Sequence, residues 1–152
     1  MLGLPYNIFM LNKEKNLSSG LEDYLETIYI ASLSDGHLKS AELARKLNVS
    51  RASVSEAVSR LVNKDLVSYN RYECILLTEK GKKEARRVYK KHHILDDFFQ
   101  NVLGVSSELA GENACKIEHI ISEEILLKIE KFSDFFKKHK KILDIYIEES
   151  EK

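Results

Sequence analysis

Three side chains late in the chain have the types and the spacing of metal ligands. Cys115, Glu118 and His119 offer a thiol, a carboxylate and an imidazole within five residues. Each residue of an α-helix advances by about 100° around the axis, so the three side chains project from one side within roughly one turn. A small buried cysteine would explain Cys115 equally well, but three different metal-binding groups on one helix face favour a metal site.

Two earlier segments carry further candidate ligands. Asp23 and Glu26 lie on the side of a predicted helix opposite its apolar residues, and His92 and Asp96 are four residues apart on another helix. Each pair alone is as well explained by solvent-exposed side chains. A site that combined all three segments would offer oxygen, nitrogen and sulfur, a set that suits Mn²⁺ or Fe²⁺ better than Ca²⁺ or Mg²⁺.

Three helices are predicted before residue 65. Ser19 and Glu22 have the spacing of a capping box at the start of the first. Ser40 caps a short second helix, and either Ser50 or Ser53 opens a third that runs to about residue 64. The predicted buried residues of this third helix are Val54, Val58, Leu61 and Val62.

A β-hairpin and more helices follow. Alternating residues predict two short strands around a polar tip; they are Val67, Tyr69, Cys74, Leu76 and Thr78. A long basic helix is predicted over residues 79–103, and Gly104 breaks it. Two further helices are predicted over 106–129 and 133–150.

The order of helix, short helix, tight turn, helix and hairpin is that of a winged helix-turn-helix. The third helix then enters the major groove of DNA, and the hairpin reaches the adjacent backbone or minor groove. Glu56 lies on the exposed face of this helix, and the sequence gives it no role. The residues expected to contact DNA are Ser50, Arg51, Ala52, Ser53, Ser55 and Arg60 on the helix and Asn70 and Arg71 on the hairpin.

The charge distribution favours the same partner. Residues 36–92 contain 14 Lys and Arg and six Asp and Glu, an excess of eight positive charges. The whole chain has a net charge of zero, so the remaining residues carry eight negative charges. A basic middle segment between acidic flanks indicates a polyanionic partner for that segment.

Composition excludes several other classes of protein. The chain has 152 residues, of which 43% are hydrophobic, and only one proline. No apolar stretch approaches the roughly 20 residues of a membrane span, and the apolar start lacks the basic region of a signal peptide. Two distant cysteines fit a reducing cytoplasm. The sequence contains no phosphate-binding loop and no catalytic-triad pattern. It therefore predicts neither an enzyme nor a small organic substrate.

The sequence resembles the diphtheria toxin repressor family of metal-dependent transcription regulators, and within it the short manganese transport regulators. The resemblance covers about residues 21–124 and is carried by the segments LEDYLETIY, VSRASVSEAVSRLVNKDLV, LTEKGKKEA, KHHILDDFF and CKIEHIISEE. It implies that the metal ligands are Asp23, Glu26, His92, Cys115, Glu118 and His119, with Asp96 as a less certain addition.

Two departures from the family pattern bear on the metal. Manganese members usually have a carboxylate where this chain has Cys115, whereas iron members have cysteine there. Iron members, in turn, lack the acids that match Asp23 and Glu26. The ancillary site of iron members uses positions that match His92, Asp96 and Gly111, and glycine offers no ligand.

The expected molecule is therefore a mainly α-helical homodimer in the cytoplasm that represses Mn²⁺ or Fe²⁺ uptake genes. Its predicted parts are an N-terminal tail (1–17), a winged helix-turn-helix domain (18–88) and a helical metal-binding and dimerisation domain (89–152), with no SH3-like third domain. Metal bridges the two domains and fixes the dimer for double-stranded operator DNA. The alternatives are a winged-helix regulator of a small organic ligand, with only structural acids and histidines, and a metalloenzyme or metal-storage protein.

Overall fold

The computed structural model describes residues 17–34, 38–69 and 74–150, and the fold divides between Leu77 and Thr78 into two compact units. The predicted domain boundary at residue 88 lies inside the long helix that opens the second unit. The mainly helical fold with a two-stranded hairpin is confirmed. Among the described residues, no helix is long and apolar enough to cross a membrane.

The first unit has the order of elements of a winged helix-turn-helix. Apolar side chains from all three helices form its core, in which Leu25, Leu43, Val54 and Leu61 are completely buried. The turn between the second and third helices is tight because Asn48 adopts a left-handed conformation, with a φ of 53°. The elements are α1 (Ser19–Leu33), α2 (Ser40–Leu47), α3 (Arg51–Asn63), β1 (Val67–Tyr69) and β2 (Ile75–Leu77).

The first two helices begin one residue away from their predicted caps. Ser18 precedes α1, and its carbonyl oxygen accepts the backbone N–H of Glu22 at 3.0 Å. The predicted capping box of Ser19 and Glu22 is wrong, because Ser18 precedes the helix and makes no side-chain cap hydrogen bond, and the Glu22 side chain is buried. Lys39 precedes α2, and its N–H donates to the Glu42 carboxylate at 3.2 Å, so Ser40 is not the cap.

The third helix begins as predicted. Ser50 is the residue before α3, and its hydroxyl oxygen accepts the backbone N–H of Ser53 at 3.0 Å. Val54, Val58 and Leu61 are buried, but Val62 is 41% exposed, so its predicted burial is wrong. Val62 lies at the edge of the apolar stripe, beyond the part that the rest of the core covers.

The hairpin forms, but its second strand has the opposite phase from the prediction. Tyr69 pairs with Ile75, and Ile75 is buried while Leu76 is 48% exposed. Ile75 also pairs with Leu38 through an isolated bridge, which holds it against the core. A shift of one residue in a strand exchanges its two faces. The predicted hairpin tip at Asn70 and Arg71 lies outside the described residues.

The second unit consists of helices in its described residues, and two of its predicted helices are interrupted. The helix expected over 106–129 stops at Glu118, and Ser122 starts the next one by accepting the N–H of Ile125 at 3.3 Å. A second interruption falls at His139. The predicted break at Gly104 is confirmed, with a φ of 70°. The helices are α4 (Glu79–Asn101), α5 (Ser107–Glu118), α6 (Glu123–Lys138) and α7 (Lys140–Ser150).

Candidate metal centre and DNA-reading helix

Glu118 is the centre of a polar cluster inside the second unit. It is the last residue of α5, and its side chain is completely shielded from solvent. One of its carboxylate oxygens lies 2.7 Å from Nδ1 of His92, in the middle of α4. This distance is that of a strong hydrogen bond to a charged group. His92 and Glu118, two members of the predicted ligand set, are therefore in direct contact.

The helix packing explains why an acid at this position is buried. Ala110, Ala114 and Glu118 are four residues apart and form the buried side of α5. Ala114 packs in a small core with Leu95 of α4 and Leu126 of α6. The small alanine side chains allow α5 to approach α4 closely, so Glu118 at the end of the same stripe points inward.

The second carboxylate oxygen of Glu118 is the main observation in favour of a cation. Within the part of the chain that the structure describes, Oε1 has no hydrogen-bond donor, although Nε2 of His119 lies 3.5 Å away. Cys115, Glu118 and His119 each offer a ligand atom within 4.8 Å of the other two. A buried carboxylate without full compensation is costly. These residues therefore fit a divalent transition metal.

The backbone at this end of α5 is held by a neighbouring cation. Nζ of Lys91 donates to the carbonyl oxygen of Glu118 at 3.4 Å. A positive charge near the last carbonyls of a helix is favourable, because these groups carry partial negative charge. Lys91 precedes His92 on α4, so α4 contacts both the backbone and the carboxylate of Glu118.

Asp96 is not part of this cluster among the described residues. Its Oδ2 accepts a hydrogen bond from Nε2 of Gln100 at 2.8 Å. A side-chain carbon built on Gly111 would lie 4.0 Å from its other oxygen. The structure thus brings Asp96 and Gly111 together, as the family's ancillary site would require, but Gly111 supplies no ligand atom.

The two remaining candidate ligands belong to the first unit. Asp23 and Glu26 are three residues apart on α1, and both are partly exposed. Leu21, Leu25 and Ile28 form the buried side of this helix. The two acids therefore face away from the core of their own unit, as the sequence predicts.

The DNA-reading residues predicted on α3 are exposed. Arg51, Ala52, Ser53, Ser55 and Arg60 all lie on its solvent side. The hydroxyls of Ser50 and Ser53 also serve the helix start, because their oxygens are 2.8 Å apart and Ser50 caps Ser53. Contact with DNA stays a prediction for all of them, and Asn70 and Arg71 lie outside the described residues.

The outer side of α3 also includes two residues to which the sequence motifs assign no role. Glu56 and Ser59 are both exposed. Counting helical positions from the buried Val54, Val58 and Leu61 places them on the opposite side, and this count alone could have found Ser59. Tyr24 of α1 lies near Glu56: burial, with a further contribution from the Glu56 charge, raises the pKa of the Tyr24 phenol.

A winged helix-turn-helix followed by a helical unit with clustered metal-binding groups defines a DNA-binding, metal-responsive class of regulator. Comparison with known families gives the particular one. Residues 16–75 match the N-terminal DNA-binding domain of iron-dependent repressors, and residues 78–146 match their metal-binding and dimerisation domain. The chain belongs to this family, the diphtheria toxin repressor family of metal-dependent transcriptional repressors, and the resemblance seen in the sequence is confirmed.

Individual relatives agree with this assignment. An uncharacterized HTH-type transcriptional regulator of Methanocaldococcus jannaschii is 38% identical over 80% of this chain and 98% of its own length. The HTH-type transcriptional regulator MntR of Shouchella clausii is 32% identical over 82% of this chain and 86% of that protein. The family's members are transcriptional regulators, not enzymes, and the regulator of a small organic ligand is not favoured.

A solved structure extends the likeness to the fold. A manganese-dependent transcriptional repressor in complex with manganese has a TM-score of 0.70 and is 27% identical. The matched region covers 76% of this chain and 53% of the solved chain. This chain therefore spans about half the length of that repressor.

Proposed function

We propose that this protein is a homodimeric repressor, activated by Mn²⁺ or Fe²⁺, that acts in the cytoplasm on genes for uptake of the same metal. The observation that carries the proposal is the Glu118 carboxylate, which is buried, contacts His92 and has one oxygen without a hydrogen-bond donor among the described residues. A divalent cation supplies the positive charge that this carboxylate lacks.

The proposed ligand set draws on both units. His92, Cys115, Glu118 and His119 come from the metal-binding and dimerisation domain, whose residue types and clustering support the assignment. Asp23 and Glu26 come from the DNA-binding domain and are proposed from the sequence. Asp96 stays outside the set.

Such a ligand set would couple metal binding to DNA binding. In the absence of metal, the carboxylates of Asp23, Glu26 and Glu118 repel each other when they approach, so a joined arrangement of the two domains is disfavoured. A cation bound by these same carboxylates replaces their repulsion with attraction, so one arrangement of the two domains is favoured. The DNA-reading helices of the two subunits then stay at one separation. Metal binding, rather than DNA binding, offsets the entropic cost of ordering them.

The direct test is a titration of operator binding, metal by metal, with the full-length protein. The DNA probe is a sequence selected from a random pool in the presence of Mn²⁺. We expect specific binding with Mn²⁺ or Fe²⁺ and only weak, salt-sensitive, non-specific binding in excess chelator. Equal specific binding in chelator and in saturating metal would contradict the proposal.

A matched pair of variants separates metal loss from general damage. His92→Ala removes a proposed ligand and should abolish activation by metal, while the metal-free affinity for non-specific DNA stays unchanged. His93→Ala removes the neighbouring, exposed imidazole and should leave activation intact. Equal loss in both variants would point to misfolding of α4 instead of a lost ligand.

A further inference from the structure

The exposed side of the DNA-reading helix carries one acid, which makes no hydrogen bond or ion pair within the described part of the chain. Glu56 is the single Asp or Glu within Arg51–Asn63. It is exposed on the side of α3 opposite the buried Val54, Val58 and Leu61, and the partly buried Tyr24 of α1 lies near it. On a helix that enters the major groove, this is the side that meets the base edges.

The polar neighbours of Glu56 are already engaged with the helix itself. The hydroxyl of Ser59 donates to the carbonyl oxygen of Ser55 at 2.8 Å, and Ser53 bonds to Ser50 at the helix start. Arg60 is four residues after Glu56 and could pair with it, but within the described ranges no ion pair joins them. Among the exposed residues on this side of α3, Glu56 therefore has the longest side chain that can accept a hydrogen bond from a base.

The chemistry of an ionised carboxylate restricts what it can contact. It accepts hydrogen bonds and donates none, and it repels the phosphates that basic residues attract. In the major groove, guanine presents two acceptors and thymine one, so both are disfavoured. Adenine presents an amino donor beside an N7 acceptor, whereas cytosine presents its N4 amino group without an acceptor next to it.

We infer that Glu56 is a specificity-determining residue that selects a cytosine in each half of the operator by accepting a hydrogen bond from its N4 amino group. This inference rests on the proposed DNA-binding function. Repulsion between Glu56 and phosphates lowers the affinity for all other sequences. Glu56 thus lowers the affinity for non-specific DNA and raises the selectivity at one base pair.

The test is selection of binding sites from a random DNA pool, with the full-length protein and Mn²⁺ present, for the wild type, Glu56→Gln and Glu56→Ala. The wild type should select cytosine at one fixed position in each half-site. Replacement of that cytosine by another base should weaken binding by about 5- to 100-fold. Glu56→Ala should lose this preference and bind random DNA more tightly, and Glu56→Gln should select adenine, which a side-chain amide contacts through two hydrogen bonds.

A charge-matched control and a defined contrary result complete the experiment. Glu124→Gln removes an exposed acid from α6 and should select the same sites as the wild type. Identical base preferences in the wild type and Glu56→Ala would overturn the inference, and so would an equal loss of affinity for all sequences. If the wild type itself selects the same sites in metal and in chelator, the proposed metal-dependent function fails instead.

Discussion

At the residue scale, the candidate metal site depends on the environment of the Glu118 carboxylate. Its complete burial and its contact with His92 depend on how α5 packs on α4. Helical spacing places Cys115, Glu118 and His119 on a common face, but no local pattern in the sequence encodes this packing, because His92 and Glu118 are 26 positions apart.

Glu118→Gln should weaken metal binding and stabilise the metal-free protein. The amide keeps the size of the side chain but removes a buried negative charge, whose desolvation is costly without a cation. We expect metal affinity to fall by about 10-fold or more, measured by competition with a metal-sensitive dye. Thermal unfolding in chelator should show a higher Tm than that of the wild type.

The control for this variant is Glu112→Gln on the same helix. Glu112 is exposed and lies 3.7 Å from Lys116, so its charge is not part of the cluster. It should alter neither metal affinity nor Tm. If Glu118→Gln instead kept its metal affinity and unfolded at a lower temperature, Glu118 would be a structural partner of His92 and not a ligand.

Cys115→Glu should move the activating preference toward Mn²⁺. A thiolate favours Fe²⁺ and softer ions more than a carboxylate does, and the substitution restores the acid that manganese members of the family carry. The measurement is the ratio of the Mn²⁺ and Fe²⁺ concentrations that give half-maximal operator binding, under anaerobic conditions. Cys74→Ser is the thiol control. Cys115 is exposed, which excludes the alternative of a small buried cysteine, so an unchanged ratio in Cys115→Glu would show that Cys115 is not a metal ligand.

At the element scale, the approximate start of each early helix could be predicted, but its capping residue could be predicted only for α3, and continuous apolar patterns were the least reliable signal. Ser50 accepts a backbone N–H one turn later as predicted, whereas Ser18 and Lys39 precede α1 and α2 in place of Ser19 and Ser40. Thr78, predicted as a strand residue, caps α4 instead. The interruption after Glu118 was missed because Ile120 and Ile121 continue an apolar pattern, although Ile120 is 82% exposed. Periodicity detects an apolar face but does not reveal whether the rest of the protein covers it.

The turn between α2 and α3 makes a stability prediction. Asn48 has a φ of 53°, a conformation that glycine and asparagine tolerate and β-branched residues do not. Asn48→Val should lower the free energy of unfolding by about 1–2 kcal/mol, measured by urea denaturation. Asn48→Gly is the matched control and should stay near the wild-type value. Equal stability of Asn48→Val and the wild type would show that the turn has another conformation.

At the scale of the whole molecule, the sequence indicated the architecture because each part carries its own pattern. The DNA-binding part could be predicted without any distance from the structure. The basic middle segment, the helix order and the hairpin were enough. The dimerising character of the second unit was less direct. It rested on a surplus of apolar residues over 94–126, of which Leu95 and Leu126 are buried in the single chain whereas Leu103 is 39% exposed. The described part of this unit also exposes apolar residues outside that set, namely Leu109, Ile125, Phe132 and Ile145.

The protein should therefore sediment as a dimer. A single chain has a mass of 17.5 kDa, so sedimentation equilibrium at micromolar concentration should give about twice that mass. Several large apolar side chains exposed on one helical unit favour its association with a second copy. A strict monomer, with and without Mn²⁺, would contradict the dimer.

The central claim is that metal and operator DNA bind to one coupled system. Thermodynamic linkage requires that each ligand change the affinity of the other by the same factor, typically about 5- to 150-fold. The decisive measurement is the affinity for Mn²⁺ with and without saturating operator, set beside the affinity for operator with and without Mn²⁺. We predict equal enhancement factors, both reduced in Glu26→Ala. An operator affinity that is the same in excess chelator and in saturating Mn²⁺ or Fe²⁺ would contradict the account.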